Sequence, residues 1–379
     1  MSEERHYFPG NNTPLGFFSY YGHILGQREA NRIICIKGGP GTGKSTFIRK
    51  IAGHFAAKGE PIDYLHCSAD ENSLDGIVLK DKKVAIIDGT SPHMTDPVTP
   101  GAVDKIINLG EFWNEDAIAA NKDTIIDLNE ECSRWYRIAY NYLNAAKSVY
   151  RNLEEIYNSC AEDSEIYKLV AGIIDRVYTD SEISIMAGRK KKFFASAITG
   201  EGVVHHIPSL LTDMKQIYLI NSPVGYPNSS FMEIIAEGAI YRGMDIEAFY
   251  CSMCPGEKME HLLIPQIGAA FVTLNRYHDM EPWEIAGGDG SKQEIILLDM
   301  NDHMNKSLLE KDADLIGSLN EEYDILLNKT VKNLDKARQT HMKVESMYVP
   351  NMNFTQISNL AEQVEEELKR HFRPEFINR

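Results

Sequence analysis

Apolar positions along this chain form two kinds of pattern, and the whole succession of patterns occurs twice. Short runs typical of buried strands come first. They are RIICIK, PIDYLHC and VAIID in the first half, and QIYLIN, DIEAFYC and AAFVT in the second. Between the first and second run of each half lies a Gly/Pro turn followed by an amphipathic segment with helical spacing. This order predicts parallel βαβ units and an α/β fold, with a three-layer sandwich in each half.

The later part of each half has a different pattern, with little proline and apolar residues recurring every three to four positions. These segments run from about Glu111 to Tyr178 and from about Asp299 to Phe372. As a single helix, Asp312 to Tyr348 would be about 55 Å long, at about 1.5 Å per residue. We expect each α/β unit to be followed by a long antiparallel helical hairpin. Packing of the hairpin against itself is favoured over binding of a partner protein by its apolar stripe.

An internal duplication explains the repeated pattern. A shift of 184 positions (228 − 44) aligns the halves without a gap through Cys251 and places ten identical pairs opposite each other. The first members are Ile36, Gly41, Ser45, Phe47, Ile51, Ala52, Gly59, Ile62, Cys67 and Ser68. Their partners are Ile220, Gly225, Ser229, Phe231, Ile235, Ala236, Gly243, Ile246, Cys251 and Ser252. We predict domains at 1–188 and 189–379, with α/β parts at 1–110 and 189–298 and helical parts at 111–188 and 299–379.

Composition narrows the classes of function. The 379 residues are 43% hydrophobic and 25% charged, as in a globular protein. A formal net charge of −16 disfavours nucleic acid as a partner, because phosphate backbones would be repelled. Six cysteines suit a reducing compartment, and Cys251 and Cys254 lack the second pair that would complete a zinc site. Without a signal-peptide pattern or an apolar run of membrane length, we expect a cytoplasmic protein with no membrane insertion.

The segment GGPGTGKST, from Gly38 to Thr46, matches the phosphate-binding pattern G-x-x-x-x-G-K-[ST] between a predicted strand and a predicted helix. Its glycines let backbone N–H groups turn toward phosphate oxygens, Lys44 brings a cation to the terminal phosphates, and Ser45 offers a hydroxyl to Mg²⁺. The residues predicted to bind ATP are Gly38, Gly39, Gly41, Thr42, Gly43, Lys44, Ser45 and Thr46.

A carboxylate should complete the metal site from a neighbouring strand. The run VAIID ends in Asp88, which we expect to bind Mg²⁺ together with Ser45. Asp88 is followed by glycine, so a carboxylate that aligns the attacking water must come from elsewhere. Asp70 and Glu71, after the second strand, are the candidates, with a solvated loop and an Asx turn as the alternative. His93 also follows a strand and could sense phosphate, although a structural role is favoured.

The second half has lost this chemistry at the equivalent positions. Asn228 replaces Lys44, Thr273 replaces Asp88, and prolines at 227 and 223 replace two glycines of the loop. Asparagine supplies no cation, and each proline removes a backbone donor. We therefore expect one site for MgATP, in the first half. Residues shared by both halves, such as Cys67/Cys251 and His93/His278, are assigned structural roles for the same reason.

Several segments of the first half together resemble a family of duplicated bacterial P-loop proteins described as ATPases or predicted nucleotide kinases. They are IKGGPGTGKS, YLHCS, NSLDGI, VAIIDGTSPH, PGAV and INLGEFW, and the likeness covers the whole chain. The resemblance implies tandem P-loop NTPase units that bind ATP, and it names no substrate. Members of that family generally look as if both halves carry a usable loop, whereas this sequence departs at Pro227 and Asn228.

Three functions are compatible with these residues. The favoured one is a slow ATPase or nucleotide-dependent switch in which Lys44, Asp88 and Asp70 act at the first loop and the helices transmit the change to a partner protein. The second half would then be a platform that lends a cation, for which Arg242 and Arg276 are the candidates. The alternatives are an ATP-dependent kinase of a small metabolite or nucleotide and a scaffold that binds ATP without hydrolysis.

Overall fold

The computed structural model describes residues 4–91, 96–179, 181–280, 285 and 293–371, and each half of the chain forms one six-stranded sheet and one small hairpin. The first-half strands are β1 (Glu4–Tyr7), β2 (Gly10–Thr13), β3 (Gly16–Ser19), β4 (Arg32–Lys37), β5 (Ile62–His66), β6 (Leu74–Leu79), β7 (Val84–Asp88) and β8 (Asp104–Asn108). The second-half strands are β9 (Lys190–Phe193), β10 (Ser196–Ile198), β11 (Val203–His205), β12 (Gln216–Asn221), β13 (Ile246–Tyr250), β14 (Met259–Ile264), β15 (Ala269–Leu274) and β16 (Glu294–Asp299).

The helices also fall into corresponding sets. The first half contains α1 (Lys44–Ala56), α2 (Glu115–Ala119), α3 (Lys122–Cys160) and α4 (Asp163–Tyr178). The second contains α5 (Ile207–Leu210), α6 (Ser229–Tyr241), α7 (Lys306–Lys311), α8 (Ala313–Tyr348) and α9 (Phe354–His371). The long helix predicted from Asp312 to Tyr348 is confirmed as α8. Within the described ranges, no helix is both long enough and apolar enough to cross a membrane.

The two large sheets have the same strand order, which agrees with the duplication. The first runs β1-β5-β6-β7-β4-β8, and the second runs β9-β13-β14-β15-β12-β16. In each sheet the loop-bearing strand, β4 or β12, is parallel to both of its neighbours. The predicted α/β class is therefore confirmed.

The sheets are mixed, however, because each contains a strand that the sequence pattern did not reveal. β6 and β14 run antiparallel to the strands on both sides. The β6 segment LDGIVL is fully buried although it contains Asp75, whose carboxylate accepts a hydrogen bond of 2.7 Å from the Tyr21 hydroxyl. A tight reversal at Lys83 (φ 52°) then leads into β7. Because β6 contains a buried acidic residue and is followed by a short turn, the spacing of apolar residues does not identify it as a strand.

The three-layer prediction is wrong about one face of each sheet. Alternate residues of β4 and β12 point in opposite directions. Cys35 of the first sheet and Leu219 of the second belong to one core that is shared by the two sheets. Ile34 instead faces a core with α1, and Ile220 faces a core with α6. Each sheet thus packs on the other sheet with one face and on helices with the other.

The predicted self-packed hairpins are also corrected. α3 packs along its whole length on α8, the corresponding helix of the other half, in antiparallel orientation. Trp113, just before α2, bridges to Met352 beyond the end of α8, and Ala161 after α3 bridges to Met304 before α7. Both long helices present the same kind of apolar stripe. Packing of α3 on α8 buries both apolar stripes as well as a hairpin within each half would.

The last helix of each half packs on the other half. α4 lies on α6, and its Val170 and Ile173 enter the second core. α9 lies on α1, and its Ala361 and Leu368 enter the first core. The division predicted at residue 188 therefore separates two sequence copies but not two independent cores.

Candidate functional site

The loop Gly38–Thr46 connects β4 to α1 at the carboxyl edge of the first sheet, where the sequence predicted it. Gly41 (φ 64°) and Gly43 (φ 82°) have left-handed backbone conformations that residues with a side chain rarely adopt. The Thr42 hydroxyl donates to the Gly39 carbonyl oxygen at 2.9 Å and closes the loop. Thr46 is exposed on the first turn of α1. The glycines thus set the tight path of the loop, and α1 begins at Lys44, directly after Gly43.

Lys44 lies inside this loop and reaches the neighbouring strand. Its Nζ donates to the carbonyl oxygens of Gly38 (3.2 Å) and Gly39 (2.9 Å) and lies 3.7 Å from Asp88 Oδ2. Both charged side chains are largely buried. The structure therefore brings together the cation and the carboxylate that the sequence placed 44 positions apart (88 − 44).

Asp88 and Ser45 fit a hard divalent cation. Asp88 ends β7, and its Oδ1 accepts from the Thr90 amide at 2.8 Å, which fixes the carboxylate toward the loop. Ser45 Oγ accepts from the Leu74 amide at 2.9 Å and so keeps its own proton and a lone pair available. Carboxylate and hydroxyl oxygens beside a phosphate loop are the ligands that Mg²⁺ takes in such sites.

Asp70 shows both features that the sequence left open. Its carboxylate accepts from the Asn72 amide at 3.2 Å, so it forms an Asx turn. It also lies on the same edge as Lys44, and it faces charged groups of α8. Glu71 beside it forms a carboxyl pair with Glu201 of the second half. Partial burial and this hydrogen bond raise the pKa of Glu71.

The loop is covered by helices of the other half, which sequence reasoning missed. A Cβ built on Gly41 would lie 3.0 Å from the Glu345 carbonyl oxygen of α8. One on Gly39 would lie 3.2 Å from the Tyr348 ring, and one on Gly43 would lie 3.2 Å from the Phe354 ring of α9. Glycines at these positions therefore serve helix packing as well as loop shape.

Two titratable side chains of α8 lie within electrostatic range of Asp70. Arg338 donates to Asp335 at 2.9 Å, and this bond raises its pKa, with smaller contributions from Glu201 and Asp70. The Arg338 Nε is buried without a hydrogen-bond partner among the described residues. Burial lowers the pKa of His341, and the nearby Lys44 cation lowers it further. Because a polar helix face is ordinarily solvated, sequence reasoning had no ground for selecting these residues.

Arg242 and Arg276, the arginines predicted to lend a cation, lie elsewhere. Arg242 donates to the Gly238 carbonyl oxygen and lies over the Tyr178 ring, at the far end of α6. Arg276 pairs with Asp324 at 2.8 Å. Along α8, Asp324 is 21 residues (345 − 324) from Glu345, which corresponds to about 30 Å of helix. This expectation was wrong, whereas Arg338 lies within electrostatic range of Asp70.

The second loop keeps the architecture without the charges. Asn228 Nδ2 donates to Ser222 Oγ at 2.8 Å and to Thr273 Oγ1 at 3.3 Å, so an amide and a hydroxyl occupy the places of Lys44 and Asp88. A Cβ built on Gly225 (φ 94°) would lie 2.9 Å from Leu153 Cβ of α3. Each loop is therefore covered by the long helix of the opposite half.

Among the residues shared by both halves, Cys251 and His278 are buried and Cys67 is half-buried. Burial raises the pKa of the Cys67 thiol, which opposes a role as nucleophile. His278 is buried and bonds to Ser196 Oγ at 2.9 Å. Cys251 and Cys254 are free thiols, and Cys254 Sγ accepts from Lys147 Nζ at 3.0 Å. His93 lies outside the described residues.

Comparisons of this chain with protein-family models, with curated proteins and with solved structures return no match.

Proposed function

We propose that this chain binds one MgATP at the first loop, hydrolyses it slowly, and uses the nucleotide state to act on the helices that cover the loop. The observation that carries the proposal is the contact of 3.7 Å between Lys44 Nζ and Asp88 Oδ2 in a loop of the phosphate-binding pattern. A cation for the terminal phosphates and a carboxylate for the metal are required together in such sites. The second half lacks both.

Each residue has a defined task in this proposal. The loop amides and the start of α1 hold the phosphates. Lys44 neutralises the charge of the terminal phosphate. Ser45 and Asp88 would hold Mg²⁺, which neutralises the phosphate oxygens when it is bound. Asp70 orients the attacking water at the same edge of the sheet.

Arg338 brings an arginine of the second half to this edge of the first sheet. It reaches the site from α8 and lies within electrostatic range of Asp70. The loop packs directly on the Glu345 carbonyl and on Tyr348. A change in the loop on hydrolysis therefore acts first on α8, and through α8 on α3, with which it packs. This contact is the physical basis for a switch.

The test is nucleotide binding and turnover by the full-length chain. Isothermal titration with MgATP should give one site per chain, and phosphate release should occur without an added acceptor. Lys44→Ala should abolish both. Asn228→Ala is the matched control, because it changes the equivalent position of the second half. It should retain one site and the same turnover.

Other outcomes would replace the proposal. ADP formation only in the presence of a metabolite mixture would indicate a kinase. Binding without turnover under either condition would indicate a scaffold. Two equal sites, or equal losses in Lys44→Ala and Asn228→Ala, would contradict the assignment of the site to the first half.

A further inference from the structure

A compact group of possible metal ligands lies in the second half, beside the loop that has lost its phosphate chemistry. Glu260 and His261 belong to β14, and His278 follows β15. One ligand atom from each residue lies within 4.8 Å of the other two, and all three side chains are buried. It is the one group of this kind among the described residues. The proposed ATP site does not involve it.

Each imidazole of the group has one nitrogen with a partner and one without. His261 Nδ1 accepts from the Thr273 amide at 3.2 Å, and His278 Nε2 bonds to Ser196 Oγ at 2.9 Å. His261 Nε2 and His278 Nδ1 are buried and have no hydrogen-bond partner among the described residues. Buried polar atoms without partners are rare and destabilising, and a bound ion is one of their regular explanations. The Ser196 bond fixes the His278 ring at its other nitrogen, as outer partners do in metal sites, and the Thr273 amide orients the His261 ring.

We propose that Glu260, His261 and His278 bind a divalent transition-metal ion, with zinc as the ion that fits best. Imidazole nitrogens favour Zn²⁺ and its neighbours in the first transition row, whereas Mg²⁺ and Ca²⁺ take oxygen ligands. Two histidines and one glutamate form a known ligand set for zinc with an open fourth position. When an ion binds His261 Nε2, the ring proton moves to Nδ1 and the 3.2 Å bond from the Thr273 amide is given up, so the ligand remains a neutral imidazole.

The surroundings provide access and room for a fourth ligand. Glu260 and His278 line a partly open cavity. The same cavity is lined by Asn228 of the second loop and by Lys258. The Lys258 Nζ donates to the Tyr150 hydroxyl at 2.7 Å and lies 3.3 Å from Glu154, so its charge is compensated at the far wall. An ion held by the three side chains would face this cavity.

The group is not a remnant of the metal site of the first half. A shift of 185 positions (260 − 75) places Asp75 opposite Glu260 and Gly76 opposite His261, so the first half offers no imidazole there. Asp75 is instead engaged by the Tyr21 hydroxyl. The proposed Mg²⁺ ligand Asp88 corresponds to Thr273, which only orients His261. Of the three ligands, only His261 is particular to the second half, since Asp75 stands opposite Glu260 and His93 opposite His278.

The test uses the full-length chain after treatment with a chelator and exhaustive dialysis. Titration with Zn²⁺ alone should give one tight site per chain and raise the melting temperature. Co²⁺ should give visible d–d absorption without the intense near-ultraviolet band of a cobalt–thiolate bond. Glu260→Gln and His278→Asn should each weaken Zn²⁺ binding by more than about 100-fold, beyond what loss of an outer partner causes. His23→Gln, a half-buried histidine outside the group, should bind as the unaltered chain does.

A second pair of variants separates this inference from its rivals. Lys44→Ala should retain the Zn²⁺ site, so failure of the proposed ATP site would leave this result unaffected. Cys251→Ser/Cys254→Ser should also retain it. Absence of a stoichiometric site in the unaltered chain would overturn the inference and leave a hydrogen-bonded histidine cluster. A thiolate band with Co²⁺, or loss of the site in the cysteine variant, would overturn it in favour of the Cys251/Cys254 pair.

Discussion

The two loop regions of this chain have the same backbone plan, and the contact that closes each of them differs in chemistry. In the first, Lys44 Nζ lies 3.7 Å from Asp88 Oδ2. In the second, Asn228 Nδ2 lies 3.3 Å from Thr273 Oγ1. Both members changed together, so the bridge from loop to neighbouring strand persists while both charges are gone. The comparison separates what the fold needs, a bridge at this position, from what triphosphate chemistry needs, a cation and a carboxylate.

The largest expected effect comes from returning the cation to the second loop. Asn228→Lys places a charge where the partners of residue 228 are the hydroxyls of Ser222 and Thr273. We expect a loss of about 3–5 kcal/mol in unfolding free energy, as for a buried charge without its counter-ion. Adding Thr273→Asp should recover part of this loss. Urea unfolding measures both. Nucleotide titration should still give one site, because Pro227 has no backbone N–H to donate to a phosphate oxygen. Two bound nucleotides would contradict the comparison.

A difference in pH response should distinguish the two sheet edges. His66 ends β5, whereas Tyr250 occupies the equivalent position of β13. Burial, with a smaller contribution from neighbouring His6, lowers the pKa of His66 to about 4. Between its ordinary pKa of 6.5 and about 4, the unfolded chain binds a proton that the folded chain does not. The unfolding free energy should therefore fall as pH drops through this window, by at most about 3 kcal/mol.

The matched variant for this prediction is His66→Tyr, which copies the second half. Urea unfolding at pH 7 and pH 4.5 measures the effect. The variant should lose less unfolding free energy between the two pH values than the unaltered chain does. An equal loss in both would show that the acid sensitivity arises elsewhere, for example at His206, whose pKa burial also lowers to about 3.

Removing one charge from the first bridge should lower turnover and also reduce stability, because Lys44 is left largely buried without its counter-ion. Asp88→Asn keeps an oxygen for the Thr90 amide but removes the carboxylate. We expect phosphate release to fall about 100-fold, equivalent to about 2.7 kcal/mol of transition-state stabilisation. Thr273→Ser, the control at the equivalent position of the second half, should leave phosphate release unchanged. Equal rates in Asp88→Asn and the unaltered chain would remove Asp88 from the proposed metal site.

The smallest effect concerns the long helices. Arg338 of α8 and Lys147 of α3 are equivalent, since the helical segments align with a shift of 191 (338 − 147). Arg338 faces the first loop region, and Lys147 bonds to Cys254 in the second. Arg338→Ala should lower kcat about tenfold, or about 1.4 kcal/mol, with little change in nucleotide affinity. Lys147→Ala should leave kcat unaltered. An equal effect of both variants would indicate a structural contribution of the helix pair rather than a role at the nucleotide.

The sequence allowed prediction of those parts of the fold that local pattern determines. RIICIK and QIYLIN correspond residue for residue to β4 and β12, and the long helix from Asp312 was correct to within one residue. Local pattern does not determine which partner an apolar stripe meets. The stripe of α8 is satisfied equally by a helix of its own half or by α3, and the choice depends on the assembled duplication. The same limit applied to α4 and α9.

The candidate site also divides into residues that a sequence motif predicts and residues that only the assembled fold brings in. Gly38, Lys44, Ser45 and Asp88 were predicted because a motif fixes their types and spacing. Arg338 and His341 could not be selected, since charged residues on a helix face usually meet solvent. The duplication offered an indirect signal. Position 147, equivalent to 338, also holds a cationic residue. A cation kept at the same helical position in both copies indicates that the two side chains point the same way from their helices. No sequence motif marks the group Glu260, His261 and His278, because two of the residues come from β14 and the third follows β15, without characteristic spacing.

The exchange of the last helices has a consequence for the history of the chain. A polypeptide of one half would leave the core between its sheet and α1 or α6 without the last helix that completes it, and its own last helix without a core to enter. In a pair of such polypeptides, the last helix of each would pack on the other, as identical partners do in a twofold assembly. Fusion of two copies would then keep both partners at equal concentration and in constant proximity. It would also free one copy to change its chemistry while the other kept it.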